Sequence, residues 1–382
     1  MSAEKAKAAE VLRERLNETP APLRAVVGFD GFIDEIIHVV DRRESFSRFE
    51  RMETMSRLAE RIASAAGRSA NVELVTVREK LGGNAAIMAN ALGRLGVGVT
   101  FIGSVGRPAV HPVFQPMGER CRIVSVAAPA HTDALEFRDG KLMLGKMKVL
   151  EELTWERIVA AAPADELAGM IGGANLLAMC NWTMLPWMSD IWKHLLEEVL
   201  PCLPAQTVLP GGVERFAFFD LADPEKRTKE DLAEALRLIQ RFSERFNVIL
   251  GMNEREAQQV ARVLGAEAGL PCRQTDGGES AEELCRFIAS KMNIHAVVVH
   301  PVDRAVAVIG CETYVQAGPY TESPLITTGA GDHFNAGFCL GRAAGLDAGQ
   351  SLLLGAGCSG YYVRTAASPA LPELLEFTET LG

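Results

Sequence analysis

The sequence lacks the common signatures of protein metal and redox sites. It contains no CxxC pair and no HExxH motif, and its seven histidines are dispersed along the chain. The eight cysteines are scattered, mostly within apolar runs, which is typical of reduced thiols in a cytoplasmic protein. We therefore expect buried free cysteines and no metal site built from histidine or cysteine.

Features of membrane and nucleic-acid proteins are also missing. No apolar run is long enough to span a bilayer, and the N-terminus is charged from Glu4 on, so we expect no signal peptide. The net charge of −10 argues against nonspecific binding to nucleic acid or to an anionic membrane surface. We expect a cytoplasmic protein that binds neither nucleic acid nor a membrane.

The 382 residues, 48% hydrophobic and 23% charged, suit one large domain with at most a small appendage. A buried strand at 25–31 comes first. Strand patterns at 34–40, 72–77 and 97–105, helical patterns at 45–66 and 85–95, and a β-rich stretch at 121–150 follow. Strands and helices then alternate, which indicates an α/β protein with a mostly parallel sheet. The strands of this second part are expected at 174–180, 217–221, 248–251, 296–300 and 305–309, and the helices near 186–199, 229–245, 254–264, 280–291, 332–343 and 349–366.

Residues 327–332, TTGAGD, are the most informative stretch, because they open a helical pattern. Small residues leave backbone N–H groups bare at a helix N-terminus, where an anion binds readily. A carboxylate at that point would repel phosphate, so the presence of Asp332 indicates a chemical role. We interpret it as the base that takes a proton from a hydroxyl attacking a phosphate. The alternative is an ordinary aspartate at a helix start.

Two further segments follow strands near the start of the chain. Gly82-Gly83-Asn84 lets the backbone approach a ligand, and the Asn amide can donate to and accept from hydroxyls. Asp30 and Asp34 follow the first buried strand, and ligands of open α/β sheets sit at the carboxyl ends of strands. The structural alternatives are a turn with an Asn N-cap, an Asx turn at Asp30 and a surface acid at Asp34.

Asn253 and Glu256 follow the strand at 248–251. An Asn followed three residues later by Glu is a capping-box variant, which is the structural alternative for this pair. The functional interpretation places Glu256 near a water-coordinated Mg²⁺ and the phosphates of a nucleotide.

Two segments imitate nucleotide-binding motifs, and we reject both. Residues 140–147 have Walker A spacing but end in Met where the Mg²⁺-binding Ser or Thr belongs. Residues 355–360 spell GxGxxG, but no strand precedes them, since Asp347 caps a helix that runs through 352–354. We expect the small residues there to permit close helix packing.

Taken in order, these motifs resemble the ribokinase-like (PfkB) family of sugar and nucleoside kinases. The resemblance covers about residues 24–366, and TTGAGDHFNAGF at 327–338 is its most specific part. It implies a three-layer α/β/α fold with a mostly parallel central sheet and a small β-sheet lid over the acceptor, formed by about 33–43, 71–80 and 121–150. We expect an N-terminal helical extension at 1–20 and a kinase domain at 21–382.

The resemblance also implies roles for individual residues. Asp332 would be the catalytic base, and Glu256 would reach Mg²⁺ through water. The implied anion hole consists of Gly329, Ala330 and Gly331. The implied contacts with the acceptor are Asp34, Asp30, Gly82, Gly83 and Asn84. The implied contacts with the nucleotide are Asn253, Glu256, Thr328 and His300.

The implied reaction is Mg²⁺-dependent transfer of the ATP γ-phosphoryl group to a hydroxyl of a sugar-like molecule. In many members of the family the lid also forms a homodimer. The chain departs from the family pattern in the helical stretch 45–66 within the lid and in Asp34, which lies one residue farther from its strand-end glycine than in ribokinases. A third departure is His300-Pro301 after a strand, faintly like ADP-dependent sugar kinases. We prefer ATP because those enzymes are usually longer.

Three alternatives remain open from the sequence. An ADP-dependent sugar kinase is one. A nucleoside or vitamin-precursor kinase would need an apolar acceptor pocket, for which Phe32, Ile33, Phe114 and Phe137 are available. A non-catalytic sugar- or nucleotide-sensing module would be expected to have lost GAGD or NxxE, and both are intact. A phosphorylated acceptor would need a basic cluster drawn from Arg42, Arg43, Arg78, Lys80, Arg107, Arg138, Lys141 and Lys146.

Overall fold

In a computed structural model of the chain, the structure describes residues 23–203, 208–209, 213–268 and 280–381, together with Glu10, Arg13 and Glu14. The strands are β1 Arg24–Phe29, β2 Phe32–Arg43, β3 Phe49–Arg51, β4 Leu74–Gly82, β5 Gly98–Ser104, β6 Cys121–Ala127, β7 Ala130–Phe137, β8 Gly140–Lys146, β9 Leu176–Cys180, β10 Val208–Leu209, β11 Val213–Glu214, β12 Phe216–Asp220, β13 Asn247–Met252, β14 Ala296–Val299, β15 Arg304–Ile309 and β16 Glu312–Ala317.

The helices alternate with these strands, most regularly in the second half of the chain. They are α1 Met55–Ser64, α2 Asn84–Arg94, α3 Gln115–Gly118, α4 Trp155–Ala161, α5 Ala164–Gly172, α6 Met188–His194, α7 Lys229–Arg241, α8 Glu254–Glu267, α9 Ala281–Lys291, α10 Ala330–Ala343, α11 Ala348–Thr365 and α12 Leu371–Thr380.

The central sheet has nine strands in the order β16-β15-β14-β13-β12-β9-β1-β5-β6. The strands from β14 to β6 are parallel to one another, and β15 and β16 are antiparallel at one edge. Every residue of β9 and β12 is buried, as expected for strands covered by helices on both faces. This confirms the mostly parallel sheet.

The sheet has a topological switch point between β1 and β9. From β1 the chain adds β5 and β6 on one side, and then returns to add β9, β12, β13 and β14 on the other. A crevice therefore opens at the carboxyl ends of β1 and β9, which is where ligands bind in sheets of this kind.

Helices cover both faces of the sheet and complete three layers. One hydrophobic cluster joins the sheet to helices α4–α9, with Trp192, Phe219 and Leu236 among its members. A second cluster on the opposite face joins it to α2, α10, α11 and α12, with Met88 and Phe338 among its members. The expected α/β/α fold is confirmed.

A smaller sheet of β2, β3, β4, β7 and β8 forms the lid. Its far end has a hydrophobic cluster of its own, in which Leu58 of α1 packs with Ile37, Val39, Leu135 and Phe137. The Thr54 side chain caps α1 by accepting a hydrogen bond from the backbone N–H of Arg57 at 3.2 Å. Helix α1 therefore covers one face of the lid.

Two expectations about the lid region were wrong. The helix expected at 45–66 begins only at Met55, because Phe49–Arg51 pairs as β3 with the end of β2. The segment 121–127 does not belong to the lid, since β6 pairs in parallel with β5 at the edge of the central sheet. Sequence alternation is the same for an edge strand of either sheet, so it could not separate the two.

Other elements were missed or only partly described. The sequence reading did not assign α4, α5, α12 or the edge strand β16. The expectation of buried cysteines was wrong for Cys202 and Cys311, which are exposed, and Cys272 lies outside the described residues. The other five cysteines are buried.

Several local predictions are confirmed. Asp347 caps α11 by accepting a hydrogen bond from the N–H of Gln350. Residues 355–360 lie inside α11 rather than in a phosphate-binding loop. Their small size serves packing, because a Cβ on Gly355 would lie 2.9 Å from the Phe334 ring.

The proposed extension at 1–20 lies mostly outside the described residues. Glu10, Arg13 and Glu14 are helical, and the Arg13 guanidinium lies 3.2 Å from the Glu379 carboxylate. The division at residue 20 stays a prediction. No helix in the described part of the chain is long and apolar enough to cross a bilayer.

The tight contact between α10 and α11 can be tested by replacing Gly337 with Ala. The added Cβ would lie 2.5 Å from the backbone carbonyl oxygen of Leu354, so the two helices must move apart. We expect Gly337→Ala to lower the free energy of unfolding by about 1–3 kcal/mol in denaturant titration.

The matched control is Gly169→Ala in α5, where the added methyl group meets nothing within 4 Å. Its helix propensity should leave stability unchanged or raised by up to about 1 kcal/mol. Equal stability of the two variants would contradict the packing account.

Candidate active site

Asp332 lies in the first turn of α10, beside the crevice. Gly329 precedes the helix with a left-handed φ of +95°, a conformation that favours glycine. The backbone N–H of Ala330 donates to the Thr327 carbonyl at 3.1 Å. Among the described residues, the N–H groups of Gly329, Gly331 and Asp332 have no such acceptor. Those of Gly331 and Asp332 lie in the first turn of the helix and can face an anion. The Ala330 N–H is taken by Thr327, and an anion contact of Gly329 stays a prediction.

Asn84 connects Asp332 to the acceptor side of the site. Its Nδ2 donates to Asp332 Oδ1 at 3.0 Å. The alternative of an Asn N-cap was wrong, because Asn84 is already the first helical residue and Gly83 holds the N-cap position with φ +94°. The Asn84 side chain is thus free to reach across to α10.

Asp30 is fully buried where β1 ends and is bound entirely by the protein. Its carboxylate accepts hydrogen bonds from the N–H groups of Asn84 and Ala85 at 3.0 and 2.7 Å, and from Asn181 Nδ2 at 2.7 Å. Burial raises its pKa to about 6, although these hydrogen bonds oppose the rise. Asp30 anchors the start of α2, and a direct contact between Asp30 and a sugar stays a prediction.

Asp34 lies on the lid, buried on β2. It is directly opposite Lys80 of β4 and Thr132 of β7, so the three side chains share one face. Burial raises the pKa of Asp34, against the charge of Lys80 and a hydrogen bond from Thr132. A Cβ on Gly82 would lie 2.5 Å from the Asp34 carboxyl group, so this glycine makes room for the carboxylate.

Asp332 is surrounded by carboxyl groups. Burial raises its pKa to about 8, and the charges of Asp30 and Glu256 add to the rise, whereas Asn84 and Lys80 lower it. A proton acceptor whose pKa lies near neutral pH is well matched to general base catalysis.

Asn253 and Glu256 form a full capping box at the start of α8. Asn253 Oδ1 accepts from the Glu256 N–H, and Glu256 Oε2 accepts from the Asn253 N–H, both at 2.9 Å. The other oxygen of Glu256 accepts from the Asp223 N–H at 2.9 Å. The structural alternative for this pair is therefore confirmed, and a contact with phosphates or Mg²⁺ stays a prediction.

Asp220 is a buried carboxylate that the sequence reading missed. It ends β12, and its oxygens accept from the Ala222 N–H at 2.9 Å and from Asn335 Nδ2 at 3.0 Å. Burial and the charges of Glu256 and Asp332 raise its pKa well above the usual range. Its position as the last residue of a buried parallel strand was the signal that could have identified it.

A cavity of about 360 Å³ adjoins the N-terminus of helix α10. Asn253, His300, Thr327, Ala330 and Gly331 line it, together with Pro301, Val302, Tyr320, Phe334 and Gly360. Thr327 lines this cavity, whereas Thr328 accepts a hydrogen bond from the Tyr362 hydroxyl at its carbonyl oxygen, 3.0 Å away. A nucleotide contact of Thr328 stays a prediction.

His300 forms part of the cavity wall as a neutral ring. Burial lowers its pKa to about 4, and its ring packs against Phe334 with centroids 4.7 Å apart. A Cβ on Gly331 would lie 3.3 Å from His300 Cε1, so the ring lies directly beside the start of α10.

His333 and Tyr362 hold the loop that precedes α10, a role that the sequence reading missed. Their rings stack with centroids 3.7 Å apart. Burial lowers the pKa of His333 to about 4, so its neutral ring donates from Nδ1 to the Gly329 carbonyl at 2.7 Å, and Nε2 accepts from Ser368 at 2.8 Å. With the bond from Tyr362 to Thr328, two carbonyls of the loop are fixed.

The candidate ligands for Mg²⁺ near Asp332 are carboxylate and amide oxygens of the described residues. No group of three or more His, Cys, Asp or Glu side chains in the described ranges is arranged to hold a metal ion directly. Asp220, Glu256 and Asp332 nevertheless bring buried carboxyl groups together, and Asn335 Oδ1 is buried without a hydrogen-bond partner among the residues described. Oxygen donors of this kind suit Mg²⁺ that is otherwise held by water and phosphate.

Comparison with known proteins agrees with this geometry. The family model described as prokaryotic ketohexokinase matches residues 1–380. A ketohexokinase from Haloferax volcanii is 30% identical over 377 residues, covering 97% of this chain and 95% of that protein.

Solved structures show the same fold at low identity. Ribokinase from Thermotoga maritima is 15% identical with a TM-score of 0.63, and covers 94% of this chain and 100% of its own. Arabidopsis thaliana ribokinase complexed with ribose and ATP is 17% identical with a TM-score of 0.61, and covers 94% and 99%. The chain therefore belongs to the prokaryotic ketohexokinase family and is a PfkB-family carbohydrate kinase, an enzyme that transfers a phosphoryl group to an alcohol group of a sugar.

Proposed function

We propose that this enzyme is a Mg²⁺- and ATP-dependent ketohexokinase in which Asp332 is the catalytic base. The observation that supports it best is the 3.0 Å contact between Asn84 Nδ2 and Asp332 Oδ1. This contact joins Asp332, at the start of helix α10, to the start of α2, the helix that follows lid strand β4. We propose a ketohexose as the acceptor because the matched family and the Haloferax relative are both ketohexokinases.

The proposed chemistry is an in-line displacement at phosphorus. A sugar hydroxyl oxygen bonds to the γ-phosphorus, the bond to the bridging oxygen of ADP breaks, and the hydroxyl proton passes to Asp332. The N–H groups of Gly331 and Asp332 face the charge on the transferred phosphoryl group. The loop 327–331 needs a fixed shape for this, and the bonds from His333 and Tyr362 supply it.

We place the nucleotide in the cavity beside His300. Its walls of Pro301, Val302, Tyr320 and Phe334 suit a flat base, and it reaches Gly331 at the helix N-terminus. Mg²⁺, when bound, would neutralise phosphate charge during transfer. Asp220, Glu256 and Asn335 would hold its water shell.

An apolar acceptor pocket is disfavoured by where the candidate side chains lie. Phe32, Ile33, Phe114 and Phe137 are all buried and are divided among three separate hydrophobic clusters. The lid face beside Asp332 instead presents Asp34, which favours a polyhydroxylated acceptor over a nucleoside or a vitamin precursor.

The proposed assembly is a homodimer that forms through the lid. Only part of the lid surface is available for this contact. Helix α1 already covers the far end of one lid face through Leu58. Exposed apolar side chains remain at Leu74, Val77 and Leu144, and these would form the contact. Light scattering of the purified protein would decide between one chain and two.

The direct test of the function is phosphoryl transfer over a panel of ketohexoses, aldoses, sugar phosphates and nucleosides. ATP and ADP are compared as donors, with and without Mg²⁺. We expect fastest turnover with a ketohexose and ATP, and none after removal of Mg²⁺. Turnover confined to nucleosides, or to ADP as donor, would replace the proposal with the corresponding alternative.

Replacing the base tests its role. Asp332→Asn preserves the shape of the side chain but cannot take the proton, so we expect a loss in kcat of about 10²–10⁴ with little change in nucleotide affinity. Asp303→Asn, an exposed aspartate near the same cavity, is the control and should be unaffected. A loss below about tenfold for Asp332→Asn would exclude it as the base.

The pH dependence follows from the raised pKa of Asp332. Only the ionised carboxylate accepts a proton, and its pKa is about 8, so the base is increasingly protonated below that pH. We expect kcat/KM for the sugar to fall about tenfold per pH unit below about pH 8 and to level off above it. A flat profile between about pH 6 and about pH 9 would contradict this assignment.

Gly82→Ala tests the acceptor side. The added methyl group would displace the Asp34 carboxyl group, so we expect KM for the sugar to rise by about tenfold or more, with KM for ATP unchanged. Gly98→Ala is the control, because its Cβ would make only ordinary contacts, the nearest at 3.5 Å. Equal effects on both substrates would mean a general distortion of the site.

A further inference from the structure

Lys80 carries a buried ammonium group beside the candidate acceptor site. It lies on lid strand β4, directly opposite Asp34, and only 14% of its side chain is exposed. Within the described ranges its ammonium nitrogen is buried and has no hydrogen-bond partner. The distance of 3.7 Å to Asp34 Oδ2 is an ion pair but too long for a hydrogen bond.

The surroundings of Lys80 belong to the reacting centre. Burial lowers its pKa, while the charges of Asp34 and Asp332 raise it, and those of Lys141 and Arg78 lower it further. In turn, the charge of Lys80 lowers the pKa of Asp332. Lys80 is also among the residues that line a cavity of about 390 Å³ between β4 and helices α2, α10 and α11.

Most other basic side chains of the lid region have partners that hold them elsewhere. Arg107 donates to the Val126 carbonyl at 3.1 Å, and Arg78 is exposed. The remaining five are in ion pairs with lid acids: Arg42 with Glu50, Arg43 with Glu73, Arg138 with Glu53, Lys141 with Glu136 and Lys146 with Asp133. Lys80 alone of the eight is both buried and beside Asp34.

A buried ammonium group without hydrogen bonds is costly, so a protein that keeps one has a use for its donors. We propose that Lys80 is a sugar-binding residue whose ammonium group donates hydrogen bonds to an oxygen of the acceptor, while Asp34 accepts from a neighbouring hydroxyl. The pair then recognises two adjacent oxygens of one sugar, one as an acceptor and one as a donor. This inference rests on the proposed sugar-kinase site and assigns a specificity determinant within it.

The test couples Lys80 to one oxygen of the substrate. Wild type and Lys80→Met are compared on the best ketohexose and on its series of monodeoxy analogues, at saturating ATP. For Lys80→Met we expect a rise in sugar KM of about 10- to 100-fold, with ATP KM changed less than about threefold. Wild type should lose at least about tenfold in kcat/KM on one particular analogue, and Lys80→Met should lose less than about threefold on that analogue alone.

Lys141→Met is the matched control, because this lysine lies on the same face of the lid but is paired with Glu136 at 3.1 Å. It should leave both KM values within about threefold of wild type. Lys80→Leu, which also lacks a hydrogen-bond donor, provides a second variant if Lys80→Met does not fold, as judged by circular dichroism. It should show the same selective insensitivity to one analogue.

The outcomes separate the inference from the proposed function. Normal sugar turnover by wild type with an unchanged sugar KM in Lys80→Met would overturn the inference alone. Equal losses on every analogue in the variant would also overturn it, since they indicate a structural role. Absence of turnover by wild type with any sugar would overturn the proposed function and the inference with it.

Discussion

The site depends on one buried carboxylate, that of Asp30. A buried charge is tolerated only when hydrogen bonds replace its water, and Asp30 obtains three of them from two different elements. Two come from the first N–H groups of α2, and the third comes from Asn181 just after β9. One side chain therefore joins the ends of both strands at the switch point to the helix that carries Asn84. The orientation of Asn84 toward Asp332 follows from this anchor.

Several buried carboxyl groups lie close together around this anchor. Asp30, Asp220, Glu256 and Asp332 each have a raised pKa, and in each case burial is the largest cause. Such a cluster would be unfavourable in a site that served only to hold the fold. It is reasonable in a site that receives cations together with its substrates, because added positive charge stabilises every member at once. The protein alone thus supplies too little positive charge to stabilise all four of these carboxyl groups in their ionised form.

Much of the fold and part of the site could be predicted from the sequence, because their signals are local. A few consecutive residues are enough to recognise the turn before Asp332, the GGN segment or the cap at Asp347. The placement of 121–127 was wrong because strand pairing is decided by residues distant in the chain, and alternation does not name the partner. Asp220 and Lys80 were not assigned for the same reason, since their neighbours come from other strands and helices.

The lid's separate cluster bears on how substrates can be exchanged. Residues at the base of the lid, Phe32 and Ala130, pack in one large cluster of the main body, and Ile33 packs in the other. The far end instead packs on Leu58 and shares no member with either. A sheet fastened at one end and self-sufficient at the other can tilt without exposing the main core. Small rigid rotations of the lid are therefore compatible with an intact main core, and their energetic cost is set by the packing at the base of the lid.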